Sequence, residues 1–419
     1  VDVSSERYFS TEAREVNIWG NVFACLIPML LFMEVNLGGR LFLSEILLAV
    51  ILPWLLVIRG HLLADPLPRR LLLLGLLWLV ALIVSDEIRE TPFEDWSRGW
   101  AKIIFLLIDF TSIYLLLAGR DMRYFMFAAG IALSQILGYF FNPNDYALDY
   151  PWKFGYGAAV TALVILAASV YSFTRTGRFI SAATMLAMGA VNFYMGFRSL
   201  GSICLLGGWM LLIKNSYHSG LSHAVRMALL SGTAIAVTVA AYDFGASQAY
   251  FGEVEKTKYQ IQSSGEMGVL LGARSEILAS AQAVKDSPII GYGSWAKDPK
   301  YAQIMADELA QLGYEVYGVT ESDLIPTHSY IMGAWVEAGV GGVLFWLFGL
   351  VLIARALMTR YDNKSILIPL IVFEALNFLW NIPFSPFGAE ARLYAAYDFS
   401  LLMFGLSLSA TSAVSRRAA

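Results

Sequence analysis

Charge is what this sequence has least of. Only 15% of its 419 residues are Asp, Glu, Lys or Arg, against roughly 25% in soluble domains. Apolar residues make up 58% and the mean hydropathy is +0.60, which excludes an ordinary water-soluble or disordered chain. Cysteine is nearly absent: Cys25 and Cys204 both fall in apolar windows, so no disulfide on an outer face is expected. Basic clusters are missing as well. Lysines and arginines are scattered singly, with no aromatic-interleaved stripe, so nucleic acid is not expected as a partner. The net charge of −4 says little, because partners of such a chain are set by local faces.

What is present in their place is long apolar sequence. A helix needs about 17 or more apolar residues to cross about 30 Å of hydrocarbon, and twelve such windows recur. They cover residues 17–35, 41–58, 70–86, 99–119, 124–141, 156–173, 179–196, 199–214, 225–243, 329–354, 364–382 and 393–412. The expected fold is therefore all-α, a polytopic membrane protein with about twelve transmembrane helices. The first window has no small-residue cleavage site at its end, so it reads as a retained helix.

Lysine and arginine in the short loops set the orientation. With the N-terminus inside, sixteen fall on the inner side, and six fall outside: Arg40, Arg89, Arg98, Lys153, Arg198 and Arg392. Both termini are then cytoplasmic. The chain divides into residues 1–243 with nine helices, an outward loop over 244–326, and residues 327–419 with three helices. Two stretches of the loop have helical periodicity: one carries Ile277, Leu278, Ala281 and Val284, the other Tyr301, Ile304, Met305, Leu309 and Leu312. A smaller outer loop is expected over 85–100, where Trp96 and Trp100 suit an interfacial belt. No internal repeat of fixed period supports a transporter-style inverted repeat.

Of four histidines, His61, His218 and His223 fall on the inner side, and His328 alone faces outward at the start of the tenth window. An imidazole titrating near about 6.5 can accept or relay a proton there; the structural alternative is helix capping, with Thr327 as the capping residue. Arg198 lies between two apolar stretches with almost no loop around it, and Arg274 opens an amphipathic helix at the end where a cation is disfavoured. Two guanidinium forks suit a diphosphate. Tyr292 and Trp295 beside the loop glycines read first as core or interfacial packing, and Asn381, Glu390 and Arg392 stand together in one outer loop. Glu337 lies nine residues after His328, on roughly the opposite side of its helix, so buried pairing is expected of it. Gly339, Gly341 and Gly342 suit close helix packing. Glu321 and Asp323 have the spacing of an acidic metal pair, with no third ligand near in sequence.

Taken in order, "GFRSLG", "ARSEIL…DSPIIGYG" and "HSYIMGAWVEAGVGG" resemble the bacterial O-antigen ligase and polymerase family of multispanning, GT-C-like glycosyltransferases. The likeness covers Arg198 to about Phe348 by motif and the rest by topology. Members often carry Ser before the first arginine and Asn after the histidine, where this chain has Phe197 and Ser329. The resemblance implies an inner-membrane enzyme that needs no cofactor and no metal. It would move a glycan from undecaprenyl pyrophosphate to an acceptor sugar hydroxyl at the periplasmic face, with inversion. Arg198 and Arg274 would hold the leaving diphosphate and His328 would take the acceptor's proton, while Tyr292 and Trp295 could stack on sugar rings and Asn381, Glu390 and Arg392 could line the acceptor side. A ligase onto lipid A core is the first expectation, a polymerase with the same donor the second; a lipid or polysaccharide transporter is the alternative of another class. Membrane lipids are partners in every case.

Overall fold

The computed structural model describes residues 18–36, 38–172, 174–214, 276–311, 322–359 and 365–418, together with isolated positions between 232 and 260. It is mostly helical. The elements are α1 (Ile18–Met29), a two-stranded ribbon of β1 (Glu34–Asn36) and β2 (Arg40–Phe42), α2 (Leu43–Arg59), α3 (Pro66–Arg89), α4 (Phe93–Leu117), α5 (Asp121–Phe141) and the short α6 (Asp145–Asp149). After a π-helical turn (Pro151–Tyr156) come α7 (Gly157–Ser169), α8 (Arg175–Tyr194) and α9 (Arg198–Lys214). Then follow α10 (Glu276–Asp286), α11 (Pro299–Gln311), α12 (Tyr330–Met358), α13 (Ile368–Phe384) and α14 (Ala389–Ala418). Eleven of the twelve apolar windows carry a helix; the window 225–243 lies outside the described residues apart from Gly232.

Six segments are long and apolar enough to cross a membrane: Leu43–Ala64, Pro66–Arg89, Phe93–Leu117, Asp121–Phe141, Pro151–Ser169 and Tyr330–Met358. Ile18–Phe32, Arg198–Ile213 and Ile368–Phe384 are shorter apolar helices. The apolar window of Leu43–Ala64 is only 11% buried, and Trp54, Val57, Phe140 and Phe141 face outward. Such an exterior would be insoluble in water and suits hydrocarbon. Inside, Trp78, Phe345, Trp346, Phe378 and Phe399 fill the bundle with rings whose centroids lie 5.0 to 6.3 Å apart, the tilted and edge contacts that aromatic quadrupoles favour.

Polar contacts gather at two opposite ends. At one, Arg59 Nη1 donates to the Leu115 carbonyl at 2.8 Å and Ser365 Oγ to Asp121 Oδ2 at 2.6 Å. At the other, Arg98 donates to the Gly38 carbonyl, and α10, α11 and residues 287–298 pack against α12. This second end is the loop end.

The two amphipathic helices form where their periodicity placed them, but α10 turns a different face inward. Ala279, Ser280, Ala283 and Val284 are buried, while Ile277 and Leu278 are half-buried. Small side chains let α10 lie close against α12, and close packing decides the face. The outer loop expected over 85–100 is almost wholly helix: α3 runs to Arg89, α4 starts at Phe93, and Glu90 turns the chain in the left-handed region at φ 53°. Its charges mimic a loop in sequence because they sit at helix ends with partners in the loop-end residues.

Candidate functional site

The loop end is organised by a break in α12. Gly339 has φ 56° and ψ −144°, outside the helical region, so the carbonyls before it are released from their own helix. Residues 289–293 fill the gap. Tyr292 N–H donates to the Val336 carbonyl at 2.8 Å, Gly293 N–H to the Glu337 carbonyl at 3.0 Å, and Val340 N–H to the Ile289 carbonyl at 3.2 Å. Sequence periodicity read Gly339 as close helix packing; the structure corrects this, because a Cβ there would meet the Ile289 oxygen at 1.8 Å. Gly341 does serve packing, against Ala81. The Pro288, Gly291 and Gly293 stretch is thus a latch seated in a broken helix.

Side chains of α3 and α4 brace the latch. Asp86 accepts from Ser294 N–H at 2.6 Å, Ser294 Oγ at 2.8 Å and Trp100 Nε1 at 2.7 Å. Arg89 donates to the Gly291 carbonyl and lies 4.9 Å over the Tyr292 ring. Lys102 Nζ pairs with Glu337 at 2.5 Å, both side chains mostly buried, which gives the glutamate the buried pairing expected of it. Tyr292 is further tied to Tyr301 through their hydroxyls at 2.5 Å. Tyr301 and Lys300 both donate to Asp286, and these bonds, Lys300 first, pull the Asp286 carboxyl down to about 2.

From the latch the chain leads to His328. Residues 296–298 bond to 323–325, with Ile325 N–H donating to the Ala296 carbonyl at 2.9 Å and Asp298 N–H to the Asp323 carbonyl at 2.8 Å. Ser329, not Thr327, caps α12 by accepting from Met332 N–H at 3.2 Å. Its Oγ also reaches the Ile382 carbonyl on α13 at 3.0 Å. One short side chain thereby does two jobs, and the exposed His328 sits immediately before it, at the loop end of α13.

Arg198 opens α9. The tight turn before it is a Schellman closure of α8: Phe197 N–H donates to the Asn192 carbonyl and Gly196 N–H to the Phe193 carbonyl, with Gly196 at φ 74°. Arg198 is half-buried at the positive end of its helix dipole, which favours an anion. Its neighbours Phe197 and Ser199 line a cavity of about 220 Å³, as do Asn381 and Ser385 near the loop end of α13. Neither Arg198 nor His328 is among the cavity-lining residues; Arg198 stands between two residues that line it, and His328 stands next to Ser329, which bonds to α13 beside it. Arg274 and Glu321 lie outside the described residues.

Other expected site residues have structural partners. Arg392, 4% exposed, is held by Glu45 through two hydrogen bonds of 2.7 and 2.8 Å and donates to the Arg40 carbonyl. Glu390 pairs with Arg40 at 3.0 Å. Tyr292 is packed as above, whereas Trp295 stands exposed with φ 52°. Asn381 faces the cavity and accepts from Ser385 Oγ at 2.9 Å. Asp323 is exposed and uses its backbone, and among the described residues no group of three or more His, Cys, Asp or Glu gathers.

The chain matches no protein-family model and no curated protein.

Sequence reasoning missed the residues deepest in the site. Glu374 on α13 and Asp398 on α14 line the cavity with Gln135, Asn377 and Tyr394. The signal was available: each is an isolated acid in an apolar window, where an ionisable group is costly unless it has a task. Lys102 was legible in the same way.

Proposed function

We propose that this chain is an inner-membrane glycosyltransferase that moves a glycan from undecaprenyl pyrophosphate to an acceptor sugar hydroxyl, with a ligase onto lipid A core as the first form and a polymerase as the second. The observation that supports the reading is a cavity in an apolar bundle lined by Phe197 and Ser199, which flank Arg198, and by Asn381, next to the Ile382 carbonyl that Ser329, the residue after His328, bonds. In this reading the bundle has about twelve spans, both termini are cytoplasmic and the loop end faces the periplasm.

The chemistry follows from those positions. The donor diphosphate lies against the N-terminus of α9, where Arg198 and the helix dipole offset its charge, and Arg274 supplies the second fork. His328 takes the proton of the acceptor hydroxyl, and that oxygen attacks the anomeric carbon. The bond from this carbon to the diphosphate oxygen breaks, undecaprenyl pyrophosphate leaves with the electron pair, and the new glycosidic bond has inverted configuration. Ser329, tied to α13, positions the backbone that carries the base.

The test is transfer in membranes supplied with lipid-linked glycan and core acceptor. His328→Ala is expected to abolish transfer while donor still binds; near wild-type turnover overturns the base assignment. The buried acids Glu374 and Asp398 favour a second reading, because transporters place charged sites near the bilayer midplane. A transporter would move the donor across the bilayer with its glycosidic linkage intact, and the same assay separates the two.

A further inference from the structure

We propose that Glu374 and Asp398 bind a hard cation, sodium or a divalent ion, at the floor of the cavity. Asp398 is 4% exposed, lines the cavity, and has neither a hydrogen-bond partner nor an ion-pair partner among the described residues. A buried carboxylate without a partner is expensive in a low-dielectric bundle. The second acid, Glu374, enters the same space from α13. No Lys, Arg or His is among the described residues that line the cavity, so the protein supplies no countercharge there; the nearest basic group on α14, Arg392, is committed to Glu45. Tyr394 and Tyr397 are the other titratable groups on the wall.

The remaining lining polar groups complete an oxygen-rich set. Asn377 lies one helical turn from Glu374, and the carbonyl of Asn381 and the hydroxyls of Ser385 and Tyr394 continue towards the loop end. Carboxylate, amide and hydroxyl oxygens are the ligands hard cations take. At 1.5 Å per residue, Glu374 lies about 15 Å along the helix from Phe384 and Asp398 about 14 Å from Ala389, so the pair is set well back from the loop end inside the bundle. A volume of about 220 Å³ has room for several waters, enough for an ion that keeps part of its hydration. This proposal does not depend on glycosyl transfer.

The full chain in lipid nanodiscs, at pH 8 and constant ionic strength, is titrated with NaCl, MgCl2 or CaCl2 against choline chloride while the unfolding temperature is followed. A saturable rise is expected, with apparent affinity at least tenfold weaker in Asp398→Asn and Glu374→Gln. A response to sodium alone assigns a monovalent site, and one to magnesium or calcium a divalent site. In choline chloride alone, both variants are expected to unfold at or above the wild-type temperature, because an amide replaces a buried charge. Equal unfolding temperatures in all salts overturn the proposal, as does a cation response unchanged in both variants, or a response to pH with none to cations.

Discussion

Replacing Gly339 by alanine probes the latch most directly. Its φ of 56° and ψ of −144° are open to glycine and strained for any L-residue by about 1–3 kcal/mol. A Cβ would stand 1.8 Å from the Ile289 carbonyl oxygen and 2.3 Å from its carbon, so the latch must leave the helix break. That removes three backbone hydrogen bonds, from Tyr292, Gly293 and Val340, each contributing about 0.5–1.5 kcal/mol. The expected total is roughly 3–7 kcal/mol. Unfolding in detergent micelles measures it, and hydrogen exchange at the Tyr292 and Gly293 amides locates it. Gly333→Ala in the same helix is the control: its nearest neighbour, Thr327 Oγ1, is at 3.6 Å, and alanine gains up to about 1 kcal/mol in helix propensity. Gly339→Ala within about 0.5 kcal/mol of wild type, or with both amides still protected, refutes the latch.

Lys102→Ala should cost about 1–3 kcal/mol by stranding Glu337, and adding Glu337→Gln should recover most of it; an additive double mutant refutes the pairing. Asp286 has its carboxyl pulled down to about 2 by Lys300 and Tyr301, so the bracket between α10 and α11 is complete above the ordinary carboxylate value and is lost as pH falls through about 2. A carbon-13 titration of that carboxyl should find its midpoint near 2, and a midpoint near the ordinary value of about 3.9 removes the bracket. Arg198→Lys should reduce transfer at least tenfold with folding unchanged, since a point charge cannot reproduce a planar fork; equal turnover in a membrane assay argues against diphosphate contact.

Much of the site was legible because membrane sequence is uniform and departures from uniformity stand out. His328 and Arg198 were found as polar residues at the edges of apolar windows, and each opens or precedes a helix whose neighbouring residues approach the cavity. Glu374, Asp398 and Lys102 gave the same signal inside the windows. Their partners could not be read, because Lys102 and Glu337 are 235 residues apart and Glu45 and Arg392 are 347 apart. A single sequence carries no register between helices so distant.

By itself the sequence determined the class of molecule: apolar windows of spanning length, interrupted by sparse charge, leave a helical bundle in lipid as the economical solution, since each helix satisfies its own backbone. It also placed the helices, including α10 and α11. Only the tertiary structure decided what the motif glycines do, because the break at Gly339 exists to receive residues 289–293 from another part of the chain. Tertiary packing likewise decided which charges are structural and which face the cavity. Arg392 is satisfied by Glu45, whereas Asp398 is left facing open space, and that difference depends on what each meets across the bundle.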